Sequence, residues 1–83
     1  MKKYLVDVYV PAIGIHYDVY LPTRKQVGEA MGLLIKMVES LSSGSYKGTE
    51  NSILLSGYNG IPLNLNDTIH DVGIRNSTKL ILV

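Results

Sequence analysis

The sequence contains no cysteine. That excludes a disulfide framework, a thiolate nucleophile and a cysteine-ligated zinc site, and it leaves packing alone to supply stability. Charge of one sign is also scarce, since eight Lys and Arg against seven Asp and Glu leave a formal net charge of +1. The basic residues are scattered, so no stripe forms that could neutralise a row of phosphates, and nucleic acid is not an expected partner. No apolar run approaches the ~20 residues of a membrane-spanning helix, so no membrane insertion is expected. Lys2 and Lys3 could open a secretory signal, but the apolar stretch after them is broken by Asp7 and lacks a cleavage site; the expectation is a soluble chain in the cytoplasm.

What is there fits one small hydrophobic core. An 83-residue chain with 46% hydrophobic residues predicts a single domain over residues 1–83, too small to spare area for a deep, water-excluding cleft. From Tyr4 to Val10 the chain is dense in β-branched and aromatic residues, with Val6, Val8 and Val10 on one face and Leu5, Asp7 and Tyr9 on the other. Pro11 to Gly14 carries turn chemistry. His16 to Leu21 then alternates again, with Tyr17, Val19 and Leu21 opposite His16, Asp18 and Tyr20, which completes a hairpin.

Pro22 ends the extended run, and Thr23-Arg24-Lys25-Gln26 matches a capping box, which predicts a helix starting there. Val27, Ala30, Met31, Leu34, Val38 and Leu41 form its apolar stripe. Gly28 and Gly32 lie off the stripe, and two readings stay open for them: close backbone approach, or tolerated surface glycines. Ser42 to Ser45 terminates the helix, and the polar segment through Asn51 reads as a long loop. Ile53 to Ser56 is a short strand, Gly57 to Gly60 a turn, and Ile61 to Leu63 a brief strand that its proline confines to an edge. Asn66, Asp67 and Thr68 supply capping groups for a helical turn at Ile69 to Val72, Gly73 permits a reversal, and Lys79 to Val83 is the last strand.

That order and these lengths resemble the β-grasp fold of ubiquitin over essentially the whole chain. The resemblance implies an α+β fold, a four- to five-stranded mixed sheet with one long helix packed on one face. It is most specific in Leu65-Asn66-Asp67-Thr68-Ile69-His70-Asp71-Val72-Gly73-Ile74 and in Ser77-Thr78-Lys79-Leu80-Ile81-Leu82-Val83, which are similar to ubiquitin's short helical turn and final strand. Asp71-Val72-Gly73-Ile74-Arg75-Asn76 followed by Leu80 resembles the Asp-x-Gly-Ile-x-Asn run of the bacterial YukD and EsaB proteins of type VII secretion loci. This likeness implies a cytosolic accessory or regulator of that machinery, with a secretion-system component as partner. A ubiquitin-like modifier or sulfur carrier is the alternative of the same fold. Those act through a flexible tail ending in two glycines, whereas this sequence stops at Val83 with its last strand, so a non-conjugated protein is expected.

The usual signatures of chemistry are weak. Gly44-Ser45-Tyr46-Lys47-Gly48-Thr49 has glycines and a lysine, but a phosphate loop needs Gly-Lys-Ser/Thr opening a helix after a strand. Asp67, His70 and Asp71 lie close enough in sequence to suggest metal ligands, yet a cap and an exposed turn explain them better. His16 stands alone. No serine is paired with a base, and the carboxylates suggest no acid/base couple. No catalytic residue, cofactor or metal site is therefore assigned, and no enzyme is expected.

A sheet covered on one face by its helix exposes the other, and alternation divides the strand residues between the two. With Val6, Val8, Val10, Val19, Leu55, Leu80 and Leu82 directed at the helix, Leu5, Tyr9, Tyr20, Leu54, Ile81 and Val83 point away from it. Such an apolar open face reads as a protein-binding surface. Leu54 and Val83 match two apolar positions of ubiquitin's recognition surface. Whether the partner is another protein or a second copy, as a homodimer, stays open.

Overall fold

A computed structural model describes residues 2–83. Strands β1 (Lys3–Val10) and β2 (Ile15–Pro22) form an antiparallel hairpin in the register Val6↔Val19 and Val8↔Tyr17. The turn between them closes with the Gly14 amide donating to the Val10 carbonyl at 2.9 Å, and Gly14 takes φ +65, which suits a residue without Cβ. Helix α1 (Val27–Leu41) follows, then β3 (Leu54–Ser56) and β4 (Lys79–Leu82). β4 lies parallel to β1 and antiparallel to β3, so the mixed sheet runs β2-β1-β4-β3. The fold is the expected α+β, β-grasp arrangement. Ile61 to Leu63 adds no fifth strand: Pro62 makes one isolated bridge to Leu55.

The core follows the alternation on β1, β2 and β4. Val6, Val8, Val10, Val19, Leu21, Leu80 and Leu82 are buried against Val27, Ala30, Leu34 and Val38 of α1. Two members of the expected helix stripe depart from it. Met31 is only partly buried, and Leu41 is 61% exposed. Leu41 stands two heptads beyond Val27, so at 3.6 residues per turn it has rotated about 40° off the stripe.

The helix does not begin with the capping box. Gln26 is its N-cap and makes no side-chain cap hydrogen bond. Thr23 is buried and its backbone is committed elsewhere, the amide donating to Lys2 O at 3.1 Å and the carbonyl accepting from the His70 amide at 2.9 Å. The first free amides of the helix are met by a distant backbone segment, with Val27 donating to Asp67 O at 2.8 Å and Gly28 to Leu65 O at 3.0 Å. These are groups that a helix terminus must satisfy somehow, and tertiary contact replaces the side-chain cap. It also separates the two helix glycines. A Cβ on Gly28 would stand 3.3 Å from Leu65 O, whereas one on Gly32 would meet nothing within 4 Å.

The segment after α1 is not a bare surface loop. Tyr46 is buried in the core, and the Gly48 amide donates to Glu39 Oε2 at 3.0 Å. Farther on, Thr68 caps the short turn, its Oγ1 accepting from the Asp71 amide at 3.1 Å and its carbonyl from the Val72 amide at 3.1 Å.

Candidate protein-docking face

One side of the sheet carries α1, and the other carries the outward residues of four strands. Their registers align them in rows across the strands. His16 stands opposite Tyr9, Tyr9 opposite Ile81, and Ile81 opposite Leu55. On one side of that row lies the pair Ile53 and Val83, joined by two backbone hydrogen bonds of 2.9 and 3.0 Å. On its other side Asp18 stands opposite Asp7, and Asp7 opposite Lys79; beyond them Leu5 faces Tyr20. Leu5, Tyr20, Ile53 and Val83 are exposed, while Tyr9, Leu55 and Ile81 are half-buried. The half-buried members form the centre of the face, as expected where neighbouring side chains cover each other on a pleated surface.

Five of the six anticipated residues, Leu5, Tyr9, Tyr20, Ile81 and Val83, are therefore on this face. Leu54 is not. It is 1% exposed and belongs to the core, and Leu55 takes the outward position assigned to it. The reason is register. Leu54 pairs with Leu82, which is buried, and directly opposed cross-strand residues share a face. The run Ile53-Leu54-Leu55 is apolar at every position, so alternation within it cannot distinguish the two phases, and a slip of one residue exchanges the faces. Ile53 and Leu55 were the residues missed. No local signal in the sequence marks that phase; it follows from the pairing of Leu54 with Leu82.

The polar groups on the face are ordered around Asp7. His16 Nδ1 lies 2.9 Å from Asp7 Oδ1, and the His16 ring packs on Tyr9 with centroids 4.5 Å apart. Asp18 has no ion-pair partner among the described residues.

Away from this face, the polar clusters have structural explanations. The Tyr4 hydroxyl lies 2.6 Å from His70 Nδ1, and Arg75 Nη2 lies 3.3 Å from His70 Nε2. Both contacts are satisfied when Nδ1–H donates to the Tyr4 oxygen and Nε2 accepts from the guanidinium, an assignment made from the network. Arg75 also donates to the His70 and Ile74 carbonyls at 2.8 and 2.7 Å, so the cluster ties the turn to β1. A cleft of about 360 Å³ between the Tyr58–Asn64 segment and the Val72–Ile74 turn has no carboxylate, imidazole or amine in its lining. Among the described residues no three His, Asp or Glu side chains are placed to hold a metal ion, and no helix is long and apolar enough to cross a membrane.

No protein-family model and no curated protein matches the sequence. Solved structures do resemble the fold. The EccD5 ubiquitin-like domain from Mycobacterium xenopi superposes with a TM-score of 0.83 at 16% identity, covering 100% of this chain and 94% of that one. The ubiquitin-like domain of the Mycobacterium tuberculosis type VII secretion system protein EccD1 gives 0.78 at 15% identity, covering 100% and 99%. A chain of the MycP5-free ESX-5 inner membrane complex gives 0.82 at 18% identity, covering 100% of this chain but 21% of that one. The fold of this chain is ubiquitin-like.

Proposed function

We propose that this ubiquitin-like fold, taken as one domain, is a protein-interaction module that docks non-covalently through the open face of its sheet. It serves as a cytosolic accessory or regulator of a type VII secretion machinery and carries out no catalysis. One observation carries the docking reading: an unpartnered sheet face with Tyr9, Ile81 and Leu55 at its centre and Leu5, Tyr20, Ile53 and Val83 exposed around them. Contiguous apolar surface of this kind, with aromatic residues in it, is characteristic of interaction sites. The secretion setting is supported by the likeness to EccD domains and to part of an ESX-5 inner membrane complex. It is supported too by the YukD- and EsaB-like Asp71 to Asn76 run.

The test is site-specific photo-crosslinking in living cells, with the crosslinker at Ile81 or, as a control, at exposed Lys36 on α1. The reading expects position 81 to capture a secretion-system component that position 36 does not. Equal capture at both positions, or none at 81, refutes docking through this face. Selective capture of an unrelated protein refutes the secretion setting.

A further inference from the structure

The open face is not uniformly apolar, and its charges are arranged asymmetrically. Asp7 and Asp18 stand directly opposite each other on β1 and β2. Opposed outward side chains of this kind have Cβ atoms about 4.5 to 5.5 Å apart, and like charges in that position repel. His16 contacts Asp7 at 2.9 Å, while Asp18 has no ion-pair partner among the described residues. Lys79 flanks Asp7 from β4, so the uncompensated negative charge lies on the β2 side. This acidic row lies one step along the strands from the apolar row His16–Tyr9–Ile81–Leu55, roughly 7 Å away at two residues of strand rise.

We infer that the partner is a protein segment with an apolar stripe flanked on one side by arginine or lysine, seated so that its cation lies over the Asp7–Asp18 pair. This rests on the sheet-face reading above and adds the partner's chemistry and orientation. Apolar side chains of the segment cover Tyr9, Ile81 and Leu55, and a basic side chain one row away converts the carboxylate repulsion into attraction. An arginine suits the position best, because its fork can reach one oxygen of each carboxylate. Lys79, opposite Asp7 on β4, disfavours the opposite orientation, in which the cation would fall toward β4. Because Asp18 is exposed and Asp7 only half-buried, the attraction is screened by salt.

The experiment is a titration of the isotope-labelled protein, followed by amide chemical shifts, with a short synthetic amphipathic peptide that has leucine on one face and arginine along one flank. The control peptide carries glutamate in place of arginine. The inference expects shifts confined to the outward positions of β1, β2, β3 and β4, weakened by added salt and absent with the control. It expects Asp7→Asn with Asp18→Asn to weaken binding about tenfold, the combined scale of two exposed ion pairs, while leaving the thermal midpoint unchanged or raised. If the shifts map to this face but the control peptide or the neutral variant binds equally, the charge inference is overturned and the docking face stands. Shifts mapping elsewhere, or none at about millimolar peptide, the weak end of measurable recognition, overturn both.

Discussion

Leu54 and Leu55 are adjacent in sequence and opposite in environment, so one substitution at each position tests the register of the whole β3 edge. Leu54→Asp removes a leucine that is 1% exposed, at a cost of about 1.5 to 3 kcal/mol in lost burial. It then places a carboxylate among Leu82, Leu80 and the other apolar core residues, where an unpaired charge costs several kcal/mol more or must be neutralised. The sum is on the order of 5 kcal/mol or more. At ~0.05 to 0.15 kcal/mol per residue, an 83-residue chain has a total stability of about 4 to 12 kcal/mol. Leu54→Asp should therefore lose a large part of that stability, and all of it toward the lower end of the range. Leu55→Asp puts the same carboxylate on the open face, beside Ile81, where water reaches it. Its cost is about 1 kcal/mol, from strand propensity and partial burial, and the fold should persist. Far-ultraviolet circular dichroism with urea denaturation separates the outcomes. A folded Leu54→Asp beside an unfolded Leu55→Asp would mean that β3 is displaced by one residue and that the face described above is wrong at its β3 edge.

Three further expectations concern the helix and the glycines. Thr23→Val should not show the ~1 kcal/mol loss of a removed helix cap, because Thr23 does not cap α1; a urea midpoint lowered at unchanged slope by the equivalent of ~1 kcal/mol would show otherwise. Gly32→Ala should raise the thermal midpoint by the equivalent of about 1 kcal/mol, since the helix gains propensity and a Cβ there meets nothing within 4 Å. Gly57→Ala should lower it by about 1 to 3 kcal/mol, since its Cβ would stand 2.7 Å from the Lys79 carbonyl oxygen. That oxygen is backbone and cannot swing aside; equal midpoints for the two variants would refute this reading.

The residues by themselves determined the elements whose patterns are strong. Val6, Val8 and Val10 alternate with Leu5, Asp7 and Tyr9, and a period of two assigns each set to a face before any partner strand is known. The spacing of Val27, Ala30, Leu34 and Val38 did the same for the buried stripe of α1. The outward positions of Leu5 and Tyr9 on the open sheet face followed from the β1 period, and the same alternation in the second and last strands gave Tyr20, Ile81 and Val83. The other outcomes were decided by tertiary structure, each because local chemistry allowed two answers. Ile53-Leu54-Leu55 has no alternation to read, so pairing with Leu82 chose its phase. Thr23 to Gln26 has the residues of a capping box, yet in the folded chain the carbonyls of Asp67 and Leu65 accept from the first helix amides instead. Tyr46 sits in a stretch of Ser, Gly and Lys that reads as solvent loop, and only the packing of that stretch against α1 brought its ring into the core. The juxtaposition of Asp7 with Asp18 likewise depends on hairpin register, which sets charges far apart in sequence side by side on one surface.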